Sequence, residues 1–276
     1  MSTLVKRQKG RLSNQLRSIE AQLGLLNKAD GSAKYKQGDS SVLAAVYGPS
    51  EVLPKDEKGD RASVQVVFKR RDGKPGRREK QNENIIRNAL EPIIMTHLYP
   101  RTAIMIIVQV LVDDGSILSV ALNACVLALM DAGVPISTVI SSISCSIVVD
   151  ENGSQTLLTD PDLSEERTSI GETYFVFDGH VVAKTGEGGL VSSVTSGLLT
   201  DSAYTSCLTA SRSGSKSVYT FIRETLKRKP TTVMAPIENI IFERDEASSA
   251  TNGSDFKMED EKEESKTFSN VFMKPI

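Results

Sequence analysis

The chain has 276 residues and a formal net charge of −2, and 39% of its residues are hydrophobic while 25% are charged. These values are ordinary for a soluble globular protein with a sizeable core, in one domain or in two small ones. The sequence has no apolar N-terminal segment of the secretory type and no apolar run of 18 residues, so we expect neither secretion nor a membrane span.

The first part of the chain alternates turn signals with short apolar runs. Residues 1–20 are polar and basic with weak helical spacing, which predicts a flexible N-terminal arm. Clusters of Gly, Asp, Ser and Pro separate runs that predict strands over residues 33–36, 42–47 and 64–68. A helix is predicted over residues 85–94, where apolar residues recur at helical spacing. Glu83 and Arg87 would pair on its solvent side, and Pro92 would loosen it.

The second part of the chain predicts two more helices and several strands. A near-continuous apolar run predicts a strand covered on both faces over residues 104–112, and an almost wholly apolar, buried helix follows over residues 120–130. Further strands are predicted over residues 139–149, 156–158, 173–177 and 181–184, with a hairpin turn at 150–153, a loop at 186–189 and an amphipathic helix over 201–229. This order indicates a single α+β domain over residues 21–242, with helices packed on sheets.

The cysteines and the acidic end of the chain carry two further predictions. The cysteines lie far apart among apolar or small residues, at Cys125, Cys145 and Cys207. We therefore expect free, buried thiols in a reducing compartment rather than a disulfide framework. Residues 243–276 contain nine acidic and five basic residues and many serines, which predicts an acidic disordered tail.

A basic loop is predicted between the third strand and the first helix. It carries seven cations in twelve residues: Lys69, Arg70, Arg71, Lys74, Arg77, Arg78 and Lys80. Gly73, Pro75 and Gly76 interrupt the run and leave it without an apolar period. Such a loop can follow RNA phosphates without reading bases, and the competing interpretation is a solvated loop or a contact between subunits.

The stretch over residues 158–172 concentrates five carboxylates in fifteen residues and has two interpretations. It is either a site that holds a metal or moves protons, or a solvated loop that caps a helical turn. Ser164 followed by two acids favours the cap. His97 and His180 have no cysteine or acid at ligand spacing, so we predict no metal site and no cofactor.

Several short motifs resemble those of the ribonuclease PH family, which includes polynucleotide phosphorylase and the ring subunits of the RNA exosome. In chain order they are Asp30-Gly31-Ser32, the segment Gln37 to Pro49, Tyr99-Pro100-Arg101-Thr102, Asp114-Gly115-Ser116, Leu122-Asn123-Ala124-Cys125 and the segment Leu127 to Pro135. Each motif is weak alone, but their order and spacing resemble the family, and eukaryotic exosome ring subunits in particular. The resemblance implies a ribonuclease PH-like α+β fold.

The resemblance also implies where an active site would lie. Active members shorten RNA from its 3′ end with inorganic phosphate, using an arginine for the phosphate and two aspartates six residues apart at the scissile bond. In this sequence the arginine position falls on Leu118, and the aspartate positions fall on Arg167 and Thr173. The resemblance therefore implies a non-catalytic, architectural subunit with no catalytic residues.

For such a subunit the resemblance implies other ribonuclease PH-like subunits, cap subunits and RNA as partners, no membrane, and a place in the nucleus, nucleolus and cytoplasm. RNA would pass the basic loop and Arg101, which matches a family arginine close to RNA. One alternative is an active phosphate-dependent 3′–5′ exoribonuclease with a shifted acidic site at Glu172. Another alternative is a free-standing nucleic-acid-binding protein that forms its own oligomer.

Overall fold

The computed structural model describes Arg7 and residues 10–52, 54–73, 76–149, 155–185 and 189–228. Nine strands in this part of the chain form two sheets. The first sheet has the order β1-β2-β3-β5-β4, with β1 (Ile19–Leu23), β2 (Gly31–Gln37), β3 (Ser40–Glu51), β4 (Ser63–Lys69) and β5 (Thr102–Val112). The second has the order β7-β6-β8-β9, with β6 (Ile140–Val149), β7 (Gln155–Thr159), β8 (Ser169–Asp178) and β9 (Leu190–Gly197). All neighbouring strands are antiparallel except β4 and β5.

Five helices pack on these sheets. They are α1 (Arg77–Leu90), α2 (Ile117–Asp131), α3 (Leu163–Thr168), α4 (Gly179–Thr185) and α5 (Asp201–Lys227). Helix α2 contacts β2 and β3 of the first sheet and β6 of the second, so it lies between the sheets. Its residues 118–129 are all buried, as the apolar sequence predicts. The observed order of strands and helices confirms the α+β fold.

The close approach of β2 to the end of α2 depends on a glycine. A Cβ atom added to Gly31 would lie 2.5 Å from the carbonyl oxygen of Ala128 and would also overlap the backbone of Ala132. Beside it, the backbone N–H of Ser32 donates to Asp131 Oδ2 at 2.9 Å. The Asp30-Gly31-Ser32 motif is therefore a packing requirement of this fold.

Three local predictions are wrong. The first helix runs from Arg77 to Leu90 rather than over residues 85–94, so Pro92 follows it instead of loosening it. Residues 181–184 lie in α4 rather than in a strand, because Asp178 Oδ1 accepts the backbone N–H groups of His180 and Val181 and so starts a helix. Glu83 does not pair with Arg87. Its carboxylate accepts the backbone N–H of Phe68 at 3.0 Å, and the Arg87 guanidinium donates to Asn84 instead.

Residues 10–20 of the predicted flexible arm are packed against the domain. Arg17 is 8% exposed, Leu16 belongs to the core, and strand β1 already begins at Ile19. The buried contacts of Arg17 with distant residues hold this segment, and nothing in the local sequence shows those contacts. The predicted turn at 150–153, most of the loop at 186–189 and the acidic tail lie outside the described residues, as does Lys74.

Candidate functional site

The first turn of α2 is the place where the resemblance puts the phosphate of active relatives. Ser116 caps this helix at φ 56° and is itself buried. Its backbone N–H donates to Glu166 Oε1 at 2.5 Å, and its hydroxyl donates to the carbonyl oxygen of Pro161. Leu118, at the arginine position, is 4% exposed and packs in the main core. A carboxylate of the chain itself therefore occupies the N-terminus of α2, and no guanidinium lies at the Leu118 position.

The capping interpretation of the acidic stretch agrees with the geometry of α3. Asp162 Oδ1 accepts the backbone N–H of Glu165 at 3.0 Å, and Glu165 Oε2 accepts the backbone N–H of Asp162 at 2.9 Å. This reciprocal pair is a capping box. Glu165 also lies 3.1 Å from Arg7 and 3.4 Å from Arg11. Asp162 and Glu165 therefore stabilise the fold.

Asp160 belongs to the same stretch, and its side chain is buried. Burial alone would raise its pKa, but the charge of Arg17 and its hydrogen bonds outweigh burial and lower the pKa to about 2. The carboxylate is therefore ionised at neutral pH and neutralised inside the protein. It is 1% exposed, so it is not placed to act on a substrate from solution.

Glu166 and Glu172 are half-buried acids of the stretch whose charges interact. Burial raises the pKa of Glu166 to about 7, the Ser116 N–H lowers it, and the neighbouring charges of Glu172 and Asp113 raise it. The Tyr174 hydroxyl donates to Glu172 Oε2 at 3.3 Å. The charge of Glu172 thus favours the protonated form of Glu166, and neither acid offers a positive charge to inorganic phosphate.

The two aspartate positions of the resemblance hold side chains that do not fit a divalent cation. Arg167 is exposed on α3 and carries a positive charge. Thr173 is 1% exposed, and its hydroxyl donates to the carbonyl oxygen of Cys145 at 3.4 Å. Within the described ranges, no group of three or more His, Cys, Asp or Glu side chains is placed to hold a metal.

The basic loop begins at the end of β4, close to Asp113, which follows β5. Lys69 pairs with Gln109 near the end of β5, and the Arg70 guanidinium lies 3.2 Å from Asp113 and 3.7 Å from Glu79. The predicted loop is too long, because Arg77, Arg78 and Lys80 lie in the first turn of α1. The six described cations of the basic segment are all exposed: Lys69, Arg70, Arg71, Arg77, Arg78 and Lys80. Arg70 is thus partly neutralised, whereas the other five form no ion pair with any residue in the described part of the chain.

Arg101 lies at the other end of β5. It precedes the strand, is exposed, and its Nε lies 3.6 Å from Glu57 Oε1. The eleven residues of β5 separate it from Asp113 by roughly 30–40 Å. The structure therefore does not bring Arg101 and the start of the basic loop together. If both contact RNA, they contact separate parts of the RNA strand.

Comparison with known proteins decides the family. The model described as "3' exoribonuclease family, domain 1" matches residues 15–135. The chain is 33% identical over 235 residues to the "Exosome complex exonuclease RRP46 homolog" of Arabidopsis thaliana, which covers 81% of this chain and 97% of that protein. The chain belongs to the ribonuclease PH family of 3′ exoribonucleases. The resemblance of its motifs to this family is confirmed.

An archaeal relative and two solved structures are also similar to this ribonuclease PH family member. The "Exosome complex component Rrp41" of Thermococcus kodakarensis is 33% identical over 242 residues, covering 84% of this chain and 93% of the relative. The crystal structure of rice Rrp46 superposes with a TM-score of 0.71 at 34% identity, over 80% of this chain and all of that one. The Archaeoglobus fulgidus exosome with RNA bound superposes with a TM-score of 0.64 at 20% identity, over 80% of this chain and 92% of that chain, and shares the fold.

The sequence did not single out two features of this site. Arg17 belongs to a basic stretch of otherwise ordinary composition, and Glu166 is one acid among five. Their partners lie 143 and 50 residues away in the chain, so no local pattern marks either one.

Among the described residues, no helix is long and apolar enough to cross a membrane.

Proposed function

We propose that this chain is a non-catalytic ring subunit of an RNA exosome. It assembles with other ribonuclease PH-like subunits and with cap subunits, and it helps guide RNA through the ring channel in 3′–5′ processing and degradation. Proteins named as exosome components are 33% identical to it over most of their length, which supports the assembly. The non-catalytic role is supported by the chain's own residues.

The contact between Glu166 and the N-terminus of α2 carries the proposal. Phosphorolysis brings a phosphate dianion to a polyanion, so catalysis requires cations or free N–H donors around the nucleophile. Here the Ser116 N–H is already bound to a carboxylate, and the side chain at the arginine position is a buried leucine. Arg167 and Thr173 offer no carboxylate to protonate the leaving 3′ oxygen or to bind a metal. The site therefore offers neither a cation to bind phosphate nor a carboxylate to stabilise the leaving group.

The basic loop supplies the RNA contact of the proposal. Its exposed cations attract phosphates without base specificity, and RNA that enters the channel is held electrostatically on its way to a nuclease elsewhere. Arg101 adds a separate contact at the far end of β5.

An active phosphate-dependent exoribonuclease is the second candidate, because the similar plant proteins are named exonucleases. Glu172 would then act as the acid, beside Glu166 and Tyr174. This arrangement provides a proton donor but no cationic site for phosphate.

Co-expression with ribonuclease PH-like and cap subunits tests the proposal. We expect a hetero-oligomeric ring by mass measurement, and we expect the purified chain to release no nucleoside diphosphates from RNA with inorganic phosphate. Phosphate-dependent release that Glu172→Gln abolishes would establish the second candidate. A chain that enters no ring, and sediments instead as its own oligomer, would contradict the assembly. We further propose residence in the nucleus, nucleolus and cytoplasm, which imaging of a tagged full chain tests.

A further inference from the structure

Helix α1 presents an exposed surface of unusual composition. Its exposed residues are four cations and three amides: Arg77, Arg78, Lys80, Gln81, Asn84, Arg87 and Asn88. We refer to these seven residues as the α1 face. No acidic or apolar residue belongs to it, although the whole chain has a net charge of −2. The composition of the α1 face is typical of a surface for a polyanion with hydrogen-bonding groups.

The two acids of α1 do not weaken this positive surface. Glu79 is 8% exposed and lies 3.7 Å from Arg70. Glu83 is half-buried, and its carboxylate accepts the backbone N–H of Phe68. The carboxylate of Glu79 is thus buried and that of Glu83 is hydrogen-bonded, whereas the cations of α1 are exposed.

The α1 face forms a continuous line along the helix. Arg77, Gln81, Asn84 and Asn88 follow one another at intervals of four, three and four residues, so one polar side chain recurs on each turn of about 5.4 Å. Lys80 and Arg87 flank this line on one side and Arg78 on the other. Arg77, Arg78 and Lys80 belong both to the α1 face and to the predicted basic loop, so the two surfaces are continuous.

A cleft of about 550 Å³ lies at the C-terminal end of this line. Pro92 and Ile94 form its apolar part, and Asn88, Arg61 and His97 are polar groups in its lining. Asn88 belongs to both the α1 face and the cleft, which joins them. Glu91 also lines the cleft, and Lys58 neutralises its carboxylate at 3.0 Å.

We propose that the α1 face and the cleft form a track for single-stranded RNA, with phosphates along the cations of α1 and one base in the cleft. An amide both donates and accepts hydrogen bonds, as the edge of a base does, and an arginine beside it binds phosphate. The exposed Pro92 and His97 rings offer surfaces against which a base packs. An acidic protein surface would match the cations but would leave the cleft unexplained. The inference rests on the proposed function, because it extends the RNA path beyond the basic loop.

The test measures binding of a fluorescent single-stranded oligoribonucleotide to the full chain at two salt concentrations. The face variant combines Arg61→Ala, Arg87→Ala and Asn88→Ala, which are exposed positions outside the basic loop. We expect its affinity to fall by roughly five- to tenfold and its dependence of log affinity on log salt to fall by about 1–1.5, since two cations are removed. The control Arg223→Ala with Lys227→Ala removes two exposed cations from α5 and should bind as the wild type does.

A further variant separates the hydrogen-bonding groups of the track from its charges. Asn88→Ala alone should weaken binding without changing the salt dependence, because it removes no charge. A face variant that binds RNA as the wild type does overturns the proposal, and so does one that fails only to enter the ring, since α1 then contacts a neighbouring subunit. Neither result affects the proposed function, which depends on ring assembly and on the absence of phosphate-dependent cleavage.

Discussion

Arg17 and Asp160 lie 143 residues apart in the chain and form a buried ion pair. Arg17 Nη2 donates to Asp160 Oδ1 at 2.7 Å, and the Arg17 backbone N–H donates to Asp160 Oδ2 at 2.8 Å. The same guanidinium donates to the carbonyl oxygens of Asp114 and Gly115, just before α2. One side chain therefore joins the N-terminal segment, the acidic stretch and the turn that positions α2.

Removal of one partner of this pair should strongly destabilise the domain. Asp160→Asn keeps the shape of the side chain and tolerates the positive φ of this position, but leaves Arg17 charged and buried. We expect a loss of about 3–5 kcal/mol in the free energy of unfolding, measured by urea denaturation. The control is Glu20→Gln, which breaks the more exposed pair with Lys36 and should cost less than about 1 kcal/mol. Equal losses in the two variants would contradict a structural role for the buried pair.

Glu166 should make stability depend on pH near neutrality. Its pKa is raised from 4.5 to about 7 in the folded chain, chiefly by burial, so the folded chain retains a proton that the unfolded chain has released. Between these two values stability therefore falls as pH rises, and the loss is complete above about pH 7. Glu166→Gln stays neutral and keeps an acceptor for the Ser116 N–H. We expect thermal melts to show a smaller decline from about pH 5 to pH 8 and a higher melting temperature at pH 8.

Glu224→Gln, at an exposed position of α5, is the control for that experiment. It should leave the pH profile of the wild type unchanged. If Glu166→Gln reproduces the wild-type profile, the carboxylate is not protonated in the folded chain near neutral pH.

Gly31 should not tolerate a methyl group. The added Cβ of Gly31→Ala would lie 2.5 Å from the carbonyl oxygen of Ala128, and backbone atoms of a buried helix cannot move aside cheaply. We expect a loss of about 1–3 kcal/mol in urea denaturation. Gly59→Ala, where no atom lies within 4 Å of the added Cβ, should change stability by less than about 0.5 kcal/mol. A stable Gly31→Ala variant would show that β2 and α2 can separate.

The cations of the basic loop should contribute unequally to RNA binding. Arg70 is shared between Asp113 and Glu79, whereas Arg71 is exposed and has no ion pair recorded among the described residues. Arg71→Ala should therefore weaken RNA binding more than Arg70→Ala, most clearly at low salt. Changing Arg70, Arg71, Arg77 and Arg78 together should weaken binding further and leave ring assembly intact. Unchanged RNA affinity in the combined variant would remove the loop from the RNA path.

Most elements of the fold were predicted from local pattern. The apolar run before Asp113 and the apolar helix after Ser116 became β5 and α2, because a segment buried on all sides needs apolar residues at nearly every position. Residues 181–184 were predicted wrongly, because the alternation of a short apolar run does not distinguish a strand from a turn of helix that Asp178 caps. The sequence favoured a helix cap at Ser164, and the structure has the cap two residues earlier, at Asp162. Capping acts within three residues, so the local pattern indicated a cap but not which residue provides it.

The sequence by itself determined the family, most of the strands and helices, and the absence of the family's phosphate-binding arginine and paired aspartates at Leu118, Arg167 and Thr173. Each of these follows from residue identity and short spacing. Only the tertiary structure decided that Asp160 neutralises Arg17, that Glu166 binds the N-terminus of α2, and that the exposed residues of α1 are all cations or amides. The physical reason is that burial and charge pairing depend on which distant residues the packed sheets bring together.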